Sequence, residues 1–77
     1  MKHEGNRYPI EGFCERLKDA RHNAGLSQRE LSEKVNISRE SVKAYEGGWQ
    51  IPTFTIVVKM AATLKVSLDY LAFGRDK

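Results

Sequence analysis

The amino-acid sequence predicts an all-α protein, a compact five-helix bundle. Three observations carry that expectation. Apolar residues recur at helical spacing in five separate segments. Four of those segments follow a Ser or Thr placed as an N-cap: Ser27, Ser38, Thr53 and Ser67. Gly25 and the Gly47-Gly48 pair stand where helices must stop.

The first helix is predicted from about Gly12 to Ala24. Phe13, Leu17, Ala20 and Ala24 form its core stripe at i, i+4, i+7 and i+11. Gly25 supplies a left-handed stop, and Leu26 packs back behind it. The second helix opens with a capping box, in which the Ser27 hydroxyl accepts the Glu30 amide while Glu30 reaches back to the Ser27 amide. Leu31 and Val35 mark its buried side. Asn36 interrupts it, because Asn tolerates the left-handed backbone well, and Ile37 plugs the turn.

Ser38 caps a third helix from about Arg39 to Glu46, ending at Gly47-Gly48. At 100° per residue, Val42 and Tyr45 fall together toward the core. Arg39, Glu40, Lys43 and Ala44 spread over the other side and are expected to be exposed. Two short helices, a tight turn and an exposed polar second helix make a helix-turn-helix. In versions that bind DNA, the second helix enters the major groove with its N-terminal residues at the base edges.

The loop GGWQIP, residues 47–52, turns the chain, with Ile51 expected as a core plug. Trp49 has two possible placements, covering the core edge or lying at a DNA backbone. A fourth helix after Thr53 carries Phe54, Val57, Met60, Ala61 and Leu64 as its buried stripe. Lys65 ends it, either at positive φ or with a local change of cap. Ser67 caps the fifth helix, where Leu68 and Leu71 return to the core and Tyr70, Ala72 and Phe73 lie partly outside it. Those outer residues read either as a dimer contact or as ordinary exposure.

The expected organisation is an arm over 1–11, one domain over 12–74 and a short tail over 75–77. In the arm, Tyr8 and Ile10 could pack back, and Lys2 and Arg7 could reach phosphate or a minor groove. With 77 residues the chain holds at most one domain. An apolar content of 40% suffices for a small core. The lone Cys14 forms no internal disulfide, which fits a reducing, cytoplasmic setting. No apolar run approaches the ~20 residues of a membrane span, and the polar N-terminus lacks a signal peptide.

A net charge of +3 permits a polyanionic partner without proving one. The helix-turn-helix is neutral by count: Arg29, Lys34, Arg39 and Lys43 balance Glu30, Glu33, Glu40 and Glu46. His3, His22 and Cys14 do not form a metal-ligand spacing. No phosphate-binding glycine loop is present. No enzyme, metal, cofactor or small-molecule ligand is therefore expected.

From Phe13 to about Gly74 the chain resembles the lambda-repressor-like family, the Cro/C1-type helix-turn-helix regulators. The residues that carry the likeness are GLSQRELSEKV (25–35), VNIS, YEGG and IPTFTIVVKMAATLKVSLDYL (51–71). The resemblance implies sequence-specific binding of double-stranded DNA by a transcriptional regulator, a repressor, of bacterial or phage origin. It implies that Arg39, Glu40, Lys43 and Ala44 read bases: Arg39 a guanine, Glu40 a cytosine amine, Ala44 a thymine methyl, Lys43 a guanine or a phosphate. Gln28 would bond a phosphate and brace Arg39. Ser38, Ser41 and backbone amides near Gly47, Gln50 and Phe54 would hold further phosphates. Arg21 would pair with Glu46 and set the angle between the first and third helices.

One such module meets few phosphates, so a homodimer on half-sites about one helical turn apart is expected. Helix 5 and its neighbours would carry the dimer contact, since no separate dimerisation domain is evident. A different class of function, an antitoxin-like module binding a partner protein, is the alternative. The short tail after Gly74 argues against it.

Overall fold

The computed structural model describes residues 10–75. The expectations for Lys2, Arg7 and Tyr8 lie outside those residues. Five helices follow in order: α1 (Phe13–Asn23), α2 (Gln28–Val35), α3 (Arg39–Gly47), α4 (Phe54–Leu64) and α5 (Leu68–Phe73). No strand occurs among the described residues. α1 packs on α3 and α5, α2 packs on α3 and α4, and α4 closes on α5.

Every helix contributes to one core. α1 supplies Phe13, Leu17 and Ala20, α2 Leu31 and Val35, α3 Val42 and Tyr45, α4 Met60, Ala61 and Leu64, and α5 Leu71. All four predicted caps form. Ser27 Oγ accepts the Glu30 amide at 3.0 Å while the Glu30 carboxylate accepts the Ser27 amide at 2.8 Å. That exchange pulls the Glu30 carboxyl below its ordinary range. Ser38, Thr53 and Ser67 each accept from the amide three residues on. Gly25 takes φ 75°, as its place after α1 requires. Lys65 ends α4 at φ 61°, so the fourth helix keeps its stop without glycine, and Asn36 ends α2 at φ 63°.

Four expected core residues lie outside instead, and each has a local cause. Phe54 is 73% exposed. It is the first residue of α4, and a helical side chain leans toward the turn before it. No such turn exists there, so the ring projects off the helix end. Leu68, first in α5, is exposed for the same reason. Ile51 is 61% exposed because the neighbouring Pro52 takes the buried place in the loop. Ala24 lies beyond the last residue of α1, and Leu26 packs on the core in its stead.

The consequence is a groove. Ile10, Ile51, Pro52, Phe54 and Leu68 line its rim and walls, with Phe13, Val57, Leu71 and Ala72 completing the lining.

Candidate nucleic-acid interface

The candidate interface is built from the two ends of the helix-turn-helix. α2 and α3 meet across the turn from Asn36 to Ser38, with Ile37 folded onto the core. That turn leaves one arc of α3 facing outward. Arg39, Glu40 and Lys43 are exposed on it, as their wheel positions predict.

Ala44 does not join them. It is 5% exposed, against its expected place on the exposed side of the helix. The wheel put Ala44 at the edge of the outward arc, where a neighbour decides burial. The Trp49 ring lies over Gly47, one turn along from Ala44.

An ionic hub fixes α3 from behind. Arg21 Nε donates to Glu46 Oε2 at 2.7 Å and its Nη2 donates to Oε1 at 3.1 Å. Both side chains are nearly enclosed, at 8% and 2% exposure. The remaining Arg21 nitrogen donates to the Leu26 carbonyl at 2.8 Å, beside the stop of α1. The Gln28 amide nitrogen donates to Glu46 Oε1 at 3.1 Å. Glu46 thus ties the last turn of α3 to α1 and to the first turn of α2. A fork-shaped guanidinium meeting both carboxylate oxygens fixes direction as well as distance.

That hub changes the reading of Gln28. It stands at the N-terminus of α2 as expected, but one amide hydrogen is already held by Glu46, leaving the other to face outward. Ser27, Gln28, Arg29, Arg39 and Arg21 line one cleft between α2 and the start of α3. Arg21 is neutralised by Glu46, but Arg29 and Arg39 are exposed and give the cleft a positive rim suited to phosphate.

The other expected phosphate contacts divide. The Ser38 and Ser41 hydroxyls lie 2.9 Å apart at the start of α3. One donates to the other, so the pair retains one hydroxyl hydrogen for an outside acceptor. Gln50 is exposed in the loop. Phe54 opens α4, where first-turn amides have no partner within the helix. Gly47 is the last residue of α3, so its own amide belongs to the helix ladder.

Two features escaped the reading from sequence. Arg16 donates from Nε to the Leu71 carbonyl at 2.9 Å, and from Nη2 to the Ala72 and Glu11 carbonyls at 2.8 and 3.0 Å. Its partners are backbone atoms far along the chain, which no residue pattern announces. The seat of Trp49 on Gly47 is the second. The glycine, which has no side chain, was its only trace.

Cys14 is half-buried, and burial pushes its thiol above the ordinary value. Among the described residues no cluster of three His, Cys, Asp or Glu is placed to hold a metal. No helix of these residues is long and apolar enough to cross a membrane.

A second helix pinned through its last turn, with its first turn exposed beside a basic cleft, defines a helix-turn-helix domain. A helix-turn-helix family model matches residues 17–71. The chain belongs to the Cro/C1-type helix-turn-helix family. It is 39% identical over 62 residues to the HTH-type transcriptional regulator ImmR of Bacillus subtilis, a match covering 80% of this chain and 48% of ImmR. YqaE of the same organism, an uncharacterized HTH-type transcriptional regulator, is 37% identical over 64 residues, 83% of this chain and 55% of YqaE. The cryptic phage CTXphi transcriptional repressor RstR of Vibrio cholerae is 37% identical over 57 residues, 74% of this chain and 51% of RstR. The chain spans about half the length of these curated relatives.

Proposed function

We propose that this chain binds double-stranded DNA in a sequence-specific manner and regulates transcription as a repressor in the cytoplasm of a bacterium or in a phage. The observation that carries the reading is the outward arc of α3. Arg39, Glu40 and Lys43 stand free on a helix whose opposite side is locked by Arg21 and Glu46. A guanidinium at the first turn suits the two acceptors of a guanine edge. Glu40 accepts from a cytosine amine and is repelled by phosphate, which adds discrimination. Lys43 serves a guanine or a phosphate.

Register comes from the backbone contacts. The free hydrogen of Gln28, the Ser38–Ser41 pair, the loop at Gln50 and the amide of Phe54 supply donors for phosphate. RstR, a relative, is named a transcriptional repressor, which supports that direction of regulation here.

A single domain of this size gathers few phosphates, so a homodimer on two half-sites is the binding species. The groove between Ile51, Phe54 and Leu68 offers the apolar surface for the second copy, beside α5. The same groove also suits an unrelated protein, and an antitoxin-like module would use it that way.

Selection of bound sequences from a random duplex library at two salt concentrations tests the reading. Recovery of a palindrome with half-sites about ten base pairs apart is expected. Weak binding without a motif, abolished by salt, would leave only charge attraction and favour the protein partner.

A further inference from the structure

Four helices end in the same backbone pattern, and one of them uses it differently. Beyond α1, α2 and α4 the amides of Leu26, Ile37 and Val66 donate back to the carbonyls of Arg21, Ser32 and Ala61, at 3.2, 2.9 and 3.0 Å. Beyond α3 the amide of Trp49 donates to the Ala44 carbonyl at 3.1 Å. An apolar residue in that place ordinarily folds back on the core. Leu26, Ile37 and Val66 do so. Trp49, the largest of the four, remains 61% exposed.

Its ring is nevertheless held. A Cβ built on Gly47 would overlap the six-membered ring of the indole, so the ring occupies the space a side chain at 47 would fill. On the wheel, position 47 falls at about 80°, between Lys43 at about 40° and Glu40 at about 100°. That is the outward arc that begins with Arg39. The indole thus stands in for the missing side chain and extends the arc by one turn.

Eight residues at 1.5 Å each put position 47 about 12 Å from Arg39, close to the width of the major groove. With Arg39 at the bases, the indole meets the groove wall, where deoxyribose carbons alternate with phosphate oxygens. An indole has an apolar face for the former and an N–H for the latter.

We propose that Trp49, seated on Gly47, is a DNA-contacting residue that packs against the sugar–phosphate wall of the major groove beside α3. The proposal rests on the DNA-binding reading and assigns a contact outside the helix-turn-helix itself. Being uncharged, the indole strengthens binding to any sequence without releasing counterions.

Trp49 is the only tryptophan, so its emission reports on this contact directly. The full chain is titrated with the duplex recovered by selection and with a random-sequence duplex of equal length. Wild type, Trp49→Ala, Trp49→Phe and Gly47→Ala are compared at several salt concentrations, each checked by thermal melting. Emission of the wild type is expected to change in step with binding. Trp49→Ala should weaken both duplexes about tenfold with an unchanged salt slope. Trp49→Phe should recover most of that loss. Gly47→Ala favours the helix yet displaces the ring, so it should melt no lower than wild type and still bind like Trp49→Ala. Wild-type binding with unaltered emission, together with wild-type affinity of Gly47→Ala, would overturn the proposal alone. A wild-type chain that binds neither duplex would overturn the DNA-binding reading with it.

Discussion

The two arginines of α1 do similar work in opposite ways. Arg21, near its C-terminal end, grips the carboxylate of Glu46 and so holds α3. Arg16, near its N-terminal end, grips the carbonyls of Leu71 and Ala72 and so holds α5. The first is a pair of charges that solvent hardly reaches. The second is a half-buried charge meeting the open end of a short helix, where carbonyls lack partners within the helix. An enclosed charge pair makes position depend strictly on both partners. A cation on carbonyls completes a helix end and leaves no second charge behind if it is lost. α3 is therefore the more rigidly committed of the two elements, and α5, beside the apolar groove, the less.

Breaking the enclosed pair has the largest expected effect. Glu46→Ala leaves the Arg21 guanidinium buried without its carboxylate, at a cost of about 3–5 kcal/mol. It also frees Gln28. In a domain with a total stability of about 5–15 kcal/mol, urea melts should show a large fall in midpoint, and Arg21→Met with Glu46→Leu together should recover part of it. A Glu46→Ala protein that melts like wild type would remove the distinction between the two arginines.

Arg16→Ala comes next. Loss of its charge-assisted bonds to carbonyls should cost about 1.5–3 kcal/mol, with amide exchange accelerated in α5 and little changed in α3. Equal acceleration in both helices would show that α1 does not separate the two anchors.

Sequence made the first anchor legible and hid the second. The meeting of Arg21 with Glu46 is implied by the resemblance to the Cro/C1-type family, and the place of Glu46 at the border of the buried face of its helix allows it. The caps at Ser27, Ser38, Thr53 and Ser67 were legible because they act within three residues. Arg16 binds backbone atoms more than fifty positions away, and every residue has such atoms. The exposure of Phe54 and Leu68 was hidden for another reason. Periodicity assigns a face to each position but ignores whether a preceding turn exists to receive the side chain. Ala44, at the edge of the outward arc, is buried, because burial at an edge depends on what packs beside the helix, which the wheel does not contain.

Lys65 sharpens the comparison with the smallest effect. It holds φ 61° at the end of α4, a conformation that glycine adopts more freely. Lys65→Gly should stabilise the fold by about 0.5 kcal/mol, raising the melting temperature by a few degrees without altering DNA binding, because both anchors lie elsewhere.

The central claim is that the arc of α3 held by Arg21 and Glu46 reads bases, while Gln28 at the head of α2 only sets register. Affinities of Arg39→Ala and Gln28→Ala, measured on the selected duplex and on each of its single-base variants, test it most directly. Arg39→Ala should lose about 1–3 kcal/mol on the selected duplex and relax discrimination at one base pair, whereas Gln28→Ala should weaken every duplex to a similar degree. Equal losses from both on every sequence, with discrimination intact, would contradict the account.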